Sequence, residues 1–183
     1  MKEVLISIQP KWCEKIVNGK KTIEVRKTCP KIETPFKCYI YCTKGKDGNM
    51  FNNQCDCVSG HIGNGKVIGE FVCDKIKEID YIRYWNNEYE FITCLSYNEI
   101  AEYGKGNKLY SWLISNLKIY DTPKELGNFL PYCEGRGCCD GGAVWDGNEW
   151  HYGVTCGYSA KNCLRLTRPP QSWCYVEVMA KES

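Results

Sequence analysis

Two ammonium groups, a hydroxyl, a carboxylate and a guanidinium fall within seven residues of this chain, at Lys20, Lys21, Thr22, Glu24 and Arg26. The lysines can hold phosphate as compact point charges, Arg26 presents a planar fork, and Glu24 can accept from it or from a ligand. Such a row grips an anion or the polar edge of a nucleobase. The same row on a solvated strand does no more than keep a protein soluble. Residues 11–31 hold seven Lys or Arg against Glu14 and Glu24, a local +5 on a chain of net charge +2, so the remainder sums to −3. A basic edge on a near-neutral protein is the footprint of contact with a polyanion at one place.

The elements that must position this row are legible around it. Pro10 to Asn18 reads as a short helix: Pro10 suits a first helical position, and Trp12, Cys13, Ile16 and Val17 share one face. Gly19 ends it as a residue able to take positive φ. From Thr22 to Arg26 the period is two, so Ile23 and Val25 are expected in a core and Thr22, Glu24 and Arg26 on a solvated face. Val4–Ile8, Lys37–Thr43, Val67–Cys73 and Leu109–Tyr120 read as strands, the second alternating Cys38, Ile40 and Cys42 with Tyr39 and Tyr41. Ile76 to Trp85 reads as a further strand or turn. Ser96 to Glu99 fits a capping box for a helix ending near Gly104, and Thr122 to Glu125 predicts another short helix. Strands interrupted by short helices define an α+β class with a mixed or closed sheet.

At 183 residues, 43% hydrophobic and 13% aromatic, the chain is expected to bury one core and excludes a disordered class. Its 14 cysteines would imply a disulfide framework after export. The apolar run within Met1 to Pro10 is too short for a signal peptide, and no transmembrane stretch is evident, so a cytoplasmic location is expected. The cysteines are then core fillers, metal ligands or bystanders.

Two glycine-rich stretches stand apart. Lys44 to Gly65 has no periodicity and reads as an exposed loop, its Cys55, Cys57 and His61 offering three zinc ligands that lack a fourth. From 131 to 163 seven glycines accompany Cys133, Cys138, Cys139, Cys156 and Cys163. Asp146-Gly147-Asn148 between Ala143–Trp145 and Glu149–Tyr152 signals a hairpin. Folding it back would bring Cys138 or Cys139 towards Cys156, with Cys133 and Cys163 on the flanking segments, and Cys133, Cys138, Cys156 and Cys163 are the candidate ligands of a structural zinc; the alternative is a surface loop with reduced thiols. The expected organisation is a main unit with a mixed or closed sheet over 1–130, this insertion over 131–163 and a closing strand within 164–183.

The order Ile6-Ser7-Ile8-x-Pro10, helix, Gly19-x-Lys21-Thr22-x-Glu24-x-Arg26, and later Lys66 to Phe71, resembles the ASCH domain of the PUA-like superfamily, over roughly residues 4–126 and the last strand. Arg168 to Val178 resembles the closing segment of phage and prophage members. The resemblance implies a small β-barrel whose cleft binds RNA or a modified base, with Lys20, Lys21, Glu24 and Arg26 lining it. Tyr39, Tyr41 and Trp85 would be stacking candidates, and Arg168, Gln171 and Trp173 candidates for the rim. One branch resembles an amidohydrolase that deacylates a modified cytidine with a Lys and a Thr nucleophile. Lys21 matches that Lys, but Glu24 stands where the Thr would be, so here Lys21 and Glu24 would act as an acid–base pair in a hydrolase on a nucleoside or RNA. The third alternative is a protein-interaction module using the cysteine-rich insertion.

Overall fold

In a computed structural model, which describes residues 2–44, 63–132, 144–145, 150–151 and 166–178, the row at residues 20–26 sits at one end of a seven-stranded sheet. The chain runs β1 (Glu3–Ile8), α1 (Pro10–Val17), β2 (Ile23–Arg26), β3 (Phe36–Cys42), β4 (Val67–Ile79), α2 (Tyr81–Tyr84), α3 (Asn87–Thr93), α4 (Tyr97–Gly104) and β5 (Leu109–Lys124). A 3-10 turn (Leu126–Asn128), β6 (Phe129–Pro131), β7 (Val144–Trp145), β8 (Trp150–His151) and β9 (Trp173–Val178) follow. The sheet order is β2-β5-β4-β3-β1-β9-β6, with β1 parallel to β3 and the other pairs antiparallel. This is the mixed α+β architecture expected.

Among the described residues the sheet is not closed by backbone pairing, so the expected mixed sheet is present, in seven strands, and full closure into a barrel is not. The sheet nevertheless curls strongly. In a flat sheet β2 and β1, four places apart, would lie about 19 Å from each other, yet Arg26 Nη2 of β2 donates to Ser7 O of β1 at 2.5 Å. Trp112 of β5 likewise meets Trp173 of β9 at 6.1 Å between ring centroids. The curl is built into β4 and β5, whose pairing shifts register between Val67 and Gly69, Glu70 and Val72, and Cys73 and Ile76. Each bulge adds a bend and local twist. Side chains, not a ladder of backbone hydrogen bonds, span the remaining gap between β2 and β1.

The first core fills the inside of the curl. Val4, Ile6 and Ile8 of β1, Cys38, Ile40 and Cys42 of β3, Phe71 and Cys73 of β4, and Trp112 of β5 pack there with Cys13 and Ile16 of α1. The opposite face of the same strands packs Leu5, Tyr39, Tyr41, Val67, Phe129 and Val176 into a second core. Ile79, Tyr81, Ile100 and Leu109 form a third with Val25 of β2, beneath the short helices.

Three local expectations are corrected. Ile76 to Trp85 divides, β4 running to Ile79 and α2 starting at Tyr81 behind an Asp80 cap that accepts from Arg83 N. Thr122 to Glu125 leads into a short helix only as the 3-10 turn Leu126–Asn128, which has Glu125 at its N-cap without a side-chain cap bond; Thr122 to Lys124 belong to β5, where Lys124 pairs with Val67, so sheet pairing overrides the capping pattern there. Residues 87–93, for which no helix was expected, form α3, capped by Asn86. In the 131–163 region Val144 pairs with His151 and Trp145 with Trp150, the strand pairing of a hairpin, while Cys133, Cys138, Cys156 and Cys163 lie outside the described residues, as do Cys55, Cys57 and His61.

The buried thiols follow from the packing. Burial pushes Cys13 and Cys38 well above the ordinary thiol range, Cys73 up to about 12 and Cys174 up to about 11. Because the thiolate is the reactive form, alkylation of the native protein at pH 8 should spare Cys13, Cys38 and Cys73 until denaturant is added. Mass-spectrometric mapping checks this, and rapid native labelling of Cys38 would contradict the first core as described.

Candidate functional site

The turn after α1 sets the row. Gly19 takes φ +67°, and the backbone N–H groups of Lys20 and Lys21 both donate to Lys15 O, at 2.9 and 3.0 Å, closing the helix end. Thr22 is then pinned on both sides, its N–H to Ile92 O and its carbonyl to Ile114 N–H, each at 2.9 Å. β2 therefore leaves the turn in a fixed register, Glu24 opposite Trp112 and Arg26 opposite Tyr110.

The alternation along β2 is as expected, but the environment of its polar face is not. Lys21, Glu24 and Arg26 are 3%, 5% and 9% exposed, because the curl turns that face inward, towards β1. Glu24 sits between two cations: Oε1 is 3.0 Å from Arg26 Nη2, and Oε2 is 3.4 Å from Lys21 Nζ. Lys21 Nζ also donates to Thr93 O at 2.7 Å. Glu24 Oε2 and Arg26 Nε are left without a hydrogen-bond partner. The cluster thus carries a formal +1 out of solvent with one acceptor and one donor unsatisfied.

Above it lies a cleft of about 950 Å³ lined by Lys21, Glu24 and Arg26 together with groups from α1, α4 and the segment before β9. Its lining includes Lys11, Lys21, Arg26, Lys27 and Lys105 against Glu24, Glu99 and Glu102, a formal +2. Glu99 is committed to the α4 capping box with Ser96, whose backbone N–H holds its carboxyl below the ordinary range. Burial raises the Tyr103 hydroxyl, opposed by the Arg26 guanidinium. One wall is the strap Pro169-Pro170-Gln171-Ser172, and Ser7 ties it down: its hydroxyl donates to Pro170 O at 2.6 Å and its N–H to Ser172 O at 2.8 Å, while its carbonyl accepts from Arg26.

Of the residues expected from the sequence, Lys21, Glu24, Arg26 and Gln171 come together in the cleft. Lys20 and Arg168 are exposed and outside its lining. Tyr39 and Tyr41 lie on the far side of β3, each 3% exposed in the second core, where Tyr39 packs edge-on against Phe129 and donates to Glu3 at 2.7 Å. They are placed away from the cleft because Cys38, Ile40 and Cys42 occupy the concave face. Trp85 stacks on Tyr89. Trp173 donates to Thr28 Oγ1 at 3.0 Å and packs on Trp112. Among the described residues no group of three His, Cys, Asp or Glu is arranged to hold a metal. Sequence reading missed Ser7, Tyr103 and the role of Trp12; a lone polar residue inside the apolar run Val4–Ile8 was the available signal for Ser7.

A curled mixed sheet with α1 at its mouth and a Gly-x-Lys-Thr-x-Glu-x-Arg turn-strand flooring a basic cleft defines an ASCH-type fold. The ASCH domain model matches residues 6–124, and the chain belongs to that family. Among solved structures it is similar to ASCH from Zymomonas mobilis, at 26% identity and TM-score 0.50 over 68% of this chain and 73% of that one. A tyrosine-to-phenylalanine variant of the same protein aligns at 25% identity and TM-score 0.51, over 69% of this chain and 77% of that one. No curated protein matches the chain.

Removing one member of a buried charged cluster strands the others, typically at about 3–5 kcal/mol, whereas apolar replacement of the whole set is often neutral or stabilising. Glu24→Gln should therefore lower unfolding free energy by about 3 kcal/mol. Lys21→Met/Glu24→Leu/Arg26→Leu should match or exceed the parent in denaturant unfolding. A Glu24→Gln protein as stable as the parent would contradict the burial described.

Proposed function

We propose that the chain binds RNA or a nucleotide in this cleft, the buried Lys21–Glu24–Arg26 cluster forming its floor. The observation that carries the reading is the unsatisfied floor. A buried net positive charge with an orphan donor at Arg26 Nε and an orphan acceptor at Glu24 Oε2 is costly in the empty protein. A ligand with negative charge offsets the net positive charge across the cleft, and one with a mixed donor–acceptor edge satisfies both orphan atoms, which are closed to solvent in the empty protein, once the floor side chains shift to meet it; a nucleotide has both features. The basic lining adds phosphate contacts, and the ASCH family is associated in general with RNA binding.

The proximity of Lys21 Nζ to Glu24 Oε2, 3.4 Å, favours a second reading, hydrolysis of a modified nucleoside or RNA with these two as the acid–base pair. Turnover of acylated nucleosides or RNA, abolished by Glu24→Gln in protein that still binds, would select it.

Three further expectations accompany the proposal. They are a cytoplasmic site of action, the phage or prophage type suggested by Arg168 to Val178, and a structural zinc on Cys133, Cys138, Cys156 and Cys163. No helix among the described residues is long and apolar enough to cross a membrane. Metal analysis of protein prepared without chelator tests the zinc, and folded, metal-free protein would remove it.

The binding test is a salt series with labelled single-stranded RNA. Each phosphate contact contributes about −0.7 to the slope of log K against log salt. The exposed residues Lys11 and Lys105 can be replaced without disturbing the core. Lys11→Ala/Lys105→Ala should flatten the slope by about 1.4 and weaken binding roughly tenfold at low salt. Absence of binding at low salt, or an unchanged slope, would contradict the cleft as the phosphate site.

A further inference from the structure

Two aromatic rings line the cleft, Trp12 on α1 and Tyr103 on α4. Other rings of the molecule are committed to each other, Trp85 to Tyr89 and Trp173 to Trp112 and Tyr175. The faces of these two are met by ammonium groups, as are those of Tyr39, Tyr120, Tyr132 and Tyr175, which lie outside the cleft lining. Lys11 Nζ lies 4.3 Å and Lys21 Nζ 5.4 Å from the Trp12 centroid, and Lys27 Nζ lies 4.9 Å from that of Tyr103. Tyr103 is 37% exposed, and Trp12 is half-buried, packed in part on the first core.

The placement follows the charged row. Trp12 stands by Lys21 at one end and Tyr103 by Lys27 at the other, with Glu24 and Arg26 between them. An ammonium over a partly exposed ring is held weakly, because water competes for the charge. A nucleobase stacked on the same face is held more strongly, since it covers the whole ring and leaves water as it does so. The displaced lysine is then free beside the ribose-phosphate that the base brings with it. Each lysine–aromatic pair is thereby convertible into a stacked base and a paired phosphate, with no charge left without a partner.

We propose that Trp12 and Tyr103 are two base-stacking platforms, each covered by lysine in the empty protein, so that the ligand is a single-stranded oligonucleotide of at least two nucleotides. The inference rests on the reading of the cleft as a nucleotide site and adds its ligand class and its length. A duplex is disfavoured by the same chemistry, because its base faces are already stacked on one another and exposing one costs the stacking it gives up. The volume of the cleft, about 950 Å³, is at the upper end of the range of about 300–1,000 Å³ found for drug-sized ligands, which accords with more than a nucleoside.

The test compares mononucleotide, dinucleotide and eight-nucleotide single-stranded RNA with an eight-base-pair duplex, against the parent and the Ala and Phe variants at positions 12 and 103. In the parent, affinity should rise at least tenfold from one nucleotide to two, and the duplex should bind at least tenfold more weakly than the eight-nucleotide strand. Trp12→Ala and Tyr103→Ala should each erase most of the gain from the second nucleotide, while Trp12→Phe and Tyr103→Phe keep it. The gain is a ratio within one protein, so partial unfolding of a variant does not imitate its loss. Salt-sensitive RNA binding with no gain from the second nucleotide, or a gain intact in both Ala variants, would overturn the platforms and leave the cleft reading standing. No RNA binding by the parent would overturn both.

Discussion

Glu24 held between Lys21 and Arg26, out of water, is the interaction on which the rest depends. Three charges leave solvent on a four-residue strand and its preceding turn, and each carries a desolvation cost of several kcal/mol that mutual attraction only partly offsets. Apolar side chains of similar volume would fill the same space with less cost. The cluster is therefore poorly explained as a stabilising device and better explained as a floor prepared for a ligand. Its loose ends agree: Arg26 Nε and Glu24 Oε2 have no hydrogen-bond partner, although the backbone groups of the turn and the Lys21 ammonium are engaged.

The architecture can be understood as what is needed to hold that cluster. Bulges in β4 and β5 curl the sheet until β2 faces β1. Ser7 meets Arg26 through its carbonyl and fixes the strap through its hydroxyl and N–H, so one residue couples the floor to a wall. α1 supplies the opposite wall and buries Cys13 and Ile16 in the first core, and α4 closes the end near Tyr103. The short helices cover Ile23 and Val25, so β2 is covered on both faces. The backbone that carries the floor is thus held in place by its hydrogen bonds and packing, which limits the ordering that a ligand must bring about on binding to movements of side chains.

The local structure was largely legible in the sequence, and the environment was not. Pro10, the apolar face of α1, Gly19 and the period-two run to Arg26 give the helix, the turn and the strand, because each is decided within a few residues. The same period-two pattern gave Glu24 and Arg26 a solvated face, since alternation distinguishes two faces without saying which opens to water and which to a polar cleft. Tyr39 and Tyr41 were separable from Cys38, Ile40 and Cys42 by alternation alone. That the tyrosines face away from the cleft depends on the curl, which arises from pairing between β4 and β5, distant in sequence. Thr122 to Glu125 carries a helix-start pattern that pairing of Lys124 with Val67 overrides. Trp12 was visible only as one apolar position of a helix face, because its lysine neighbours meet it in space, Lys21 from beyond the turn.

The central claim is that the buried cluster is completed by a nucleotide ligand, and the side-chain Nε–H of Arg26 reports on it directly. Its resonance, assigned by comparison with Arg26→Lys in 15N-labelled protein, can be followed during titration with a short single-stranded RNA. The account predicts a saturable shift of that signal, with the hydrogen-bonded proton moving downfield and exchanging more slowly with water. A signal that stays in place while resonances elsewhere report binding, or a spectrum that does not change at all, would contradict it.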